Sequence, residues 1–380
     1  MPAPSPNEDR NFWTGRICGP LVSLMQSAGY SKRAQGFFED FTRDLVVSHL
    51  GPRPTKSPRT GQLIPHFDSF CCDDFSPVEY AWNISGMDEA TYKMTINLGS
   101  EPISQLAGTI SDPFNQRESI VVMSRLSSER GVDGRLWDHF RKHLHVEDGA
   151  TAAHDIMSGM APNEHTSSNF VAFGFPQDLS IEPLLKVYFS PVPISLRSGQ
   201  STDQVIADAM LRVEKELSLD LATSLGKIRD FIQHDTNRRD CEGALRLELL
   251  AFDSVQPKKS RFKLYMRTKE TSLERLEDIW TLGGRLSLQN GTPTQKGLAL
   301  QRRTGGHPNE DFAKTVGRHS FIGLSYTEAG PYVTLYYNSM IFSTGDERDA
   351  KGRLVGTGAA KQRHLLRADD GTISCFESQA

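Results

Sequence analysis

The chain has 380 residues, 37% of them hydrophobic and 24% charged, and a formal net charge of -4. That balance fits a globular protein and argues against general binding to nucleic acid or anionic membranes. No window approaches about 18 uninterrupted apolar residues, so no membrane-spanning helix is expected. The opening residues MPAPSPNEDRNFW lack a cationic stretch followed by an apolar run, so no secretory signal is expected. The five cysteines Cys18, Cys71, Cys72, Cys241 and Cys375 are odd in number and match no zinc or disulfide spacing. Free thiols and a cytoplasmic location are the expectation.

In chain order, Leu21, Leu24, Met25 and Ala28 recur at helical spacing, and Gly29 ends that helix. A second helix is predicted from about Ser31 to Leu50, where Gly51-Pro52-Arg53-Pro54 breaks it. A polar loop should follow to about Ile64. Val78 to Ile84 and Tyr92 to Leu98 read as a first hairpin, with helices near 116–128 and 134–145. Phe170 to Phe175 and Leu185 to Phe189 read as a second, with helices near 201–234. Leu245 to Phe252 and Ser260 to Arg267 read as a third, with a helix at 271–280. Phe321 to Tyr326 and Tyr332 to Tyr337 make a fourth around the turn Thr327 to Gly330. Recurring α-β-β-α units predict an α/β fold. Joining the hairpins into a barrel of antiparallel strands ringed by helices removes exposed edges. The predicted domain spans 10–340. The stretch 345–380, rich in charge, Gly and Ala, is expected to be a poorly packed tail.

Successive side chains of a strand point to opposite faces. Arg261, Lys263 and Tyr265 should therefore share one face, and Phe262 and Leu264 the other. Two cations and a phenol suit an anion such as a diphosphate better than a core. Lys186 and Tyr188 repeat the arrangement, Tyr332 and Tyr336 share a face, and Lys93 opens the second strand of the first hairpin. A single Lys-x-Tyr is ordinary for a solvated edge strand; the combination is not. Tyrosines can both hydrogen-bond a diphosphate and shield a carbocation with their π faces. Glu79, within Ser76-Pro77-Val78-Glu79-Tyr80, reads either as an outward strand carboxylate or as an inward acceptor for a substrate N–H. Burial would raise its pKa and fit it to accept a proton.

His139 and His143 have the i, i+4 spacing of a helical zinc pair, but Phe140 follows His139 and the zincin glutamate is absent. No metal is expected. Neither Asp73-Asp74 nor Asp346-Glu347-Arg348-Asp349 has the Asp-Asp-x-x-Asp spacing of a magnesium–diphosphate site. Gly283-Gly284 lacks the further glycine of a nucleotide loop.

Together these segments resemble the fungal aromatic prenyltransferases of the dimethylallyltryptophan synthase family. The resemblance rests on Phe12-Trp13, Ala28-Gly29-Tyr30-Ser31, Pro77-Val78-Glu79, Glu101-Pro102-Ile103 and Lys186-Val187-Tyr188. It continues through Arg261 to Tyr265, Thr281-Leu282-Gly283-Gly284 and Tyr332 to Tyr336. It implies a ten-stranded barrel of five repeats that transfers a prenyl group, usually dimethylallyl, from its diphosphate to an arene, most often an indole. It implies no cofactor and no catalytic metal, and leaves room for a homodimer. By position, Glu79 corresponds to the residue that binds the indole N–H. Lys186, Tyr188, Arg261, Lys263, Tyr265, Tyr332 and Tyr336 correspond to the diphosphate and cation-shielding set, with Lys93 near a further diphosphate contact.

Two departures stand out. Some relatives that alkylate carbon carry a lysine on the first strand of the second repeat, and Asn169 to Phe175 contains none. Only four hairpins can be counted, so the fourth of five repeats is expected to be lost or much reduced within Leu286 to Arg318. A non-indole acceptor (a polyketide, a tyrosine or a cyclic dipeptide) stays open, as does an inactive paralogue that binds a small molecule or partner protein.

Overall fold

The first two helices show how local chemistry sets the frame. Helix α1 (Pro6–Ser27) stops where Gly29 takes a left-handed φ of 79°, and Tyr30 N–H returns to the Met25 carbonyl at 3.0 Å. Ser31 then caps α2 (Lys32–Leu45), its Oγ accepting from Ala34 N–H at 3.1 Å. Ala34, Phe38, Phe41 and Leu45 give α2 a buried stripe. The helix ends sooner than predicted, because a 3-10 turn at Val47–His49 precedes the Gly-Pro break.

The computed structural model describes residues 6–72, 75–85, 93–147, 166–238, 244–268, 275, 278–279, 281–285, 320–327, 330–338 and 373–377. At 6, 83–85, 93, 238, 320–327, 330–338 and 373–377 the description is of the backbone. The chain divides into two compact units.

Unit 1 comprises residues 1–82, 94–220 and 248–262. It holds a short ribbon, β1 (Thr55–Lys56) with β2 (Leu63–Ile64), inside the stretch read as loop. Its main sheet runs in the order β3 (Val78–Ser85), β4 (Lys93–Ser100), β5 (Asn169–Phe175), β6 (Leu184–Phe189) and β7 (Arg246–Asp253). The pairs from β4 to β7 are antiparallel. Helices α3 (Arg117–Arg130), α4 (Arg135–Leu144), α5 (Val192–Ser198) and α6 (Thr202–Leu217) complete it. One sheet face is the core. Phe173 packs on Phe41 and Phe175 on Phe38, while Phe189 meets Trp137 and Phe252 stacks on Phe140. Tyr30 donates to the Phe175 carbonyl and accepts from Ile96 N–H, which ties the helix junction to β4 and β5. Tyr80 donates to the Ile17 carbonyl at 2.8 Å.

Unit 2 comprises residues 83–93, 221–247 and 263–380. It carries α7 (Ala222–Arg238) and strands in the order β8 (Phe262–Thr268), β9 (Ser320–Thr327), β10 (Gly330–Asn338) and β11 (Ile373–Glu377). The hairpin β9–β10 has the register Tyr332 to Ser325 and Tyr336 to Phe321, so backbone alternation places both tyrosines on one face. β11 lies within the stretch read as a tail. It pairs parallel to β10, Tyr337 opposite Cys375. Of the helix predicted at 271–280, residues 275, 278 and 279 are helical and the others lie outside the described residues. The segment 286–318, where a fourth repeat was expected to be reduced, also lies outside them.

Candidate active site

The sheet face opposite the core is built from cross-strand rows. Gly99 stands opposite Ala172, Ala172 opposite Lys186, and Lys186 opposite Asp253. Beside this row, Asn97 pairs with Gly174 and Gly174 with Leu184; on the other side Phe170 pairs with Tyr188 and Tyr188 with Ala251. Directly opposed residues share a face, so these side chains project together. Glycine and alanine in the middle keep the floor low.

Glu79 lies over this floor, since a Cβ on Gly99 would stand 3.4 Å from its Oε2. Val78 and Tyr80 on either side of it are buried. Alternation along β3 thus puts Glu79 on the face opposite Val78 and Tyr80. At the other end of the row, Lys186 Nζ donates to Asn97 Oδ1 at 3.2 Å. Asn97 is held over Gly174, where a Cβ would come within 2.9 Å of Oδ1. Tyr188 stacks on Phe170 with ring centroids 4.3 Å apart.

Arg261 immediately precedes β8 (Phe262–Thr268), and its carbonyl accepts from Asp253 N–H at 3.3 Å. Its guanidinium grips the buried Asp253 carboxylate with two hydrogen bonds, Nε to Oδ2 at 2.6 Å and Nη2 to Oδ1 at 3.2 Å. Asp253 thus orients Arg261 from the end of the row that holds Lys186. Burial pushes the Lys186 ammonium down to about 8; Asp253 works against that shift and Arg261 with it. A buried cation whose charge is costly to hold favours an arriving anion, which offsets that cost.

Glu79, Lys186, Tyr188 and Arg261 therefore come together in unit 1. Lys263 and Tyr265 lie on β8 in unit 2, Lys263 half-buried and Tyr265 buried. Lys93, Tyr332 and Tyr336 are placed by backbone only. Asp73-Asp74 and Asp346 to Asp349 lie outside the described residues. Gly283 and Gly284 form a tight turn with φ of 66° and 80°, and Gly284 N–H donates to Thr281 Oγ1.

Sequence reasoning missed Asp253 and Asn97. Asp253 was legible as the last position of the Leu249, Ala251, Asp253 alternation; its value depends on the register with Lys186. Glu101, quoted only as part of a motif, is fully buried. It accepts from Ser69 Oγ at 2.7 Å, Phe70 N–H at 3.1 Å, Asn115 Nδ2 at 3.0 Å and Ser167 Oγ at 3.0 Å. Burial raises its pKa and those bonds oppose the rise, so Glu101 serves as a latch that ties three segments to the end of β4.

A 7-dimethylallyltryptophan synthase of Aspergillus fumigatus is 32% identical over 308 residues, covering 79% of this chain and 61% of the relative. A 4-O-dimethylallyl-L-tyrosine synthase of Claviceps purpurea is 31% identical over 274 residues, covering 72% of this chain and 57% of the relative. The chain thus spans less than two-thirds of the length of these relatives. The crystal structure of NotF in complex with brevianamide F and DMSPP matches with a TM-score of 0.63 at 20% identity, over 86% of this chain and 93% of that one. The fold is accordingly that of the prenyltransferase barrels, antiparallel strands with helices around them. The family profile for tryptophan dimethylallyltransferase matches residues 9–304, and the chain belongs to that family.

Proposed function

We propose that this chain transfers a dimethylallyl group from dimethylallyl diphosphate to an electron-rich arene, an indole of tryptophan or of a tryptophan-derived compound. The observation that carries this reading is the row from Gly99 to Asp253. It sets a carboxylate, Glu79, and a cationic end, Lys186 with Arg261, on one small-residue floor. Family membership supports the reaction class.

In the proposed reaction the allylic C–O bond breaks and its electron pair leaves with the diphosphate. Lys186 and Arg261, joined by Lys93 and Lys263, compensate the charge that develops on the leaving group. Tyr188, Tyr265, Tyr332 and Tyr336 shield the allyl cation from water. The arene donates a π pair to form the new bond and then releases a proton. The floor of β5 offers Phe170, Ala172 and Gly174 but no base, so Glu79 is assigned both the acceptor N–H and the proton. Basic side chains rather than an aspartate pair hold the diphosphate, so the reaction is read as metal-independent.

A tyrosine acceptor is the second reading, favoured by the 31% identity to the tyrosine synthase. The test is product mass after incubation with dimethylallyl diphosphate, EDTA and a panel of indoles and tyrosine. Gain of one dimethylallyl unit on an indole supports the proposal, gain on tyrosine alone selects the second reading, and no product from folded protein overturns both.

A further inference from the structure

Away from the sheet face, α4 and α6 bring together a group that helical spacing alone left incomplete. His139 and His143 sit one turn apart on α4, and Glu216 joins them from the end of α6. One ligand atom from each lies within 4.8 Å of the other two. His139 is 3% exposed. Its Nε2 sits 3.0 Å from the Ala209 carbonyl, which can only accept, so Nε2 carries the proton. That leaves a lone pair on Nδ1 of the neutral ring, and Nδ1 faces Glu216 Oε2 at 2.7 Å. Two acceptors at that distance need a cation between or beside them, either a proton or a metal. The Nε2 atom of His143 is buried and makes no hydrogen bond.

We propose that His139 Nδ1, His143 and Glu216 form a structural site for a zinc-like divalent transition ion that clamps α4 to α6. Two imidazoles and one carboxylate are a familiar zinc donor set, with water able to take a fourth position. The hydrogen bond from His139 to Ala209 is the outer-shell contact that fixes the tautomer of a ligating histidine. Glu216 is 53% exposed, so it is the ligand free to adjust and the ion's route in. Zinc bonds of about 2.0–2.2 Å put neighbouring ligand atoms roughly 3.3 Å apart, a spacing the three atoms, all within 4.8 Å of one another, can reach by small side-chain shifts. Position 140 is a phenylalanine, so the site lacks the zincin base and its role is to hold helices rather than to catalyse.

The test titrates the metal-stripped 380-residue chain with Co2+ and Zn2+, following the visible d–d bands of Co2+, zinc competition and thermal unfolding. The expected result is one equivalent bound, with a rise in Tm. His143→Ala and Glu216→Gln should each weaken binding by more than about tenfold, since loss of even an outer-shell partner costs that much. Glu216→Gln alters an exposed carboxylate and so keeps the test valid if His143→Ala fails to fold. Absence of binding, or binding that both variants leave unchanged, overturns the site in favour of a simple imidazolium–carboxylate pair.

Discussion

Lys186→Met removes the cation at the end of the floor row and keeps a side chain of similar length. The fold holds this ammonium at about 8 against an ordinary 10.5. At about 1.4 kcal/mol per unit, keeping it charged costs the native state about 3 kcal/mol. Below pH 8 both folded and unfolded chains bind the proton, and the cost is present in full. Between 8 and 10.5 the folded chain releases the proton while the unfolded chain keeps it, so stability rises with pH across that window. Met carries no such cost but leaves Asn97 Oδ1 without its donor, a loss of about 1 kcal/mol. The variant should therefore be about 2 kcal/mol more stable than the parent at pH 7, and the gain should vanish by about pH 10. It should also lose about 10- to 100-fold in affinity for a non-hydrolysable dimethylallyl diphosphate analogue, the worth of one charge-assisted contact. Urea denaturation at both pH values and analogue titration check this. A variant no more stable at pH 7, or a gain indifferent to pH, would refute the idea that the fold bears a strained cation for the sake of a ligand.

Gly174→Ala places a Cβ 2.9 Å from Asn97 Oδ1 and should break the 3.2 Å bond to Lys186. Its KM for dimethylallyl diphosphate should rise roughly 2- to 10-fold in steady-state kinetics; an unchanged KM would count against Asn97 as the positioner of Lys186. Glu79→Gln keeps the volume but loses the base, so kcat should fall by about 100-fold or more while analogue affinity holds. Arg275 and Asp235 form a doubly hydrogen-bonded pair at 2.5 and 2.8 Å with side chains 0% and 2% exposed. Arg275→Ala should cost about 3–5 kcal/mol in urea denaturation, and the double variant Arg275→Met with Asp235→Leu should recover most of it.

The comparison of sequence with structure turns on the range of the forces involved. Helix stops at Gly29, strand alternation in Lys186-Val187-Tyr188 and the hairpin from Ser320 to Asn338 follow from backbone sterics and the period of side chains. They could be read one residue at a time. So could the cationic character of the site and the absence of a lysine on β5. What the chain by itself left undetermined was which residues face one another. Asp253 becomes a site residue only because β6–β7 register sets it opposite Lys186, and Arg261 reaches it only once the chain brings the two together. Glu216 completes the histidine pair from a helix more than seventy positions away. Register and helix packing are chosen by burying Phe173, Phe175, Phe189 and Phe252 under helices, a property of the whole assembled layer. Tertiary packing therefore decided the partners of each charge, while the sequence alone determined which charges were there to be paired.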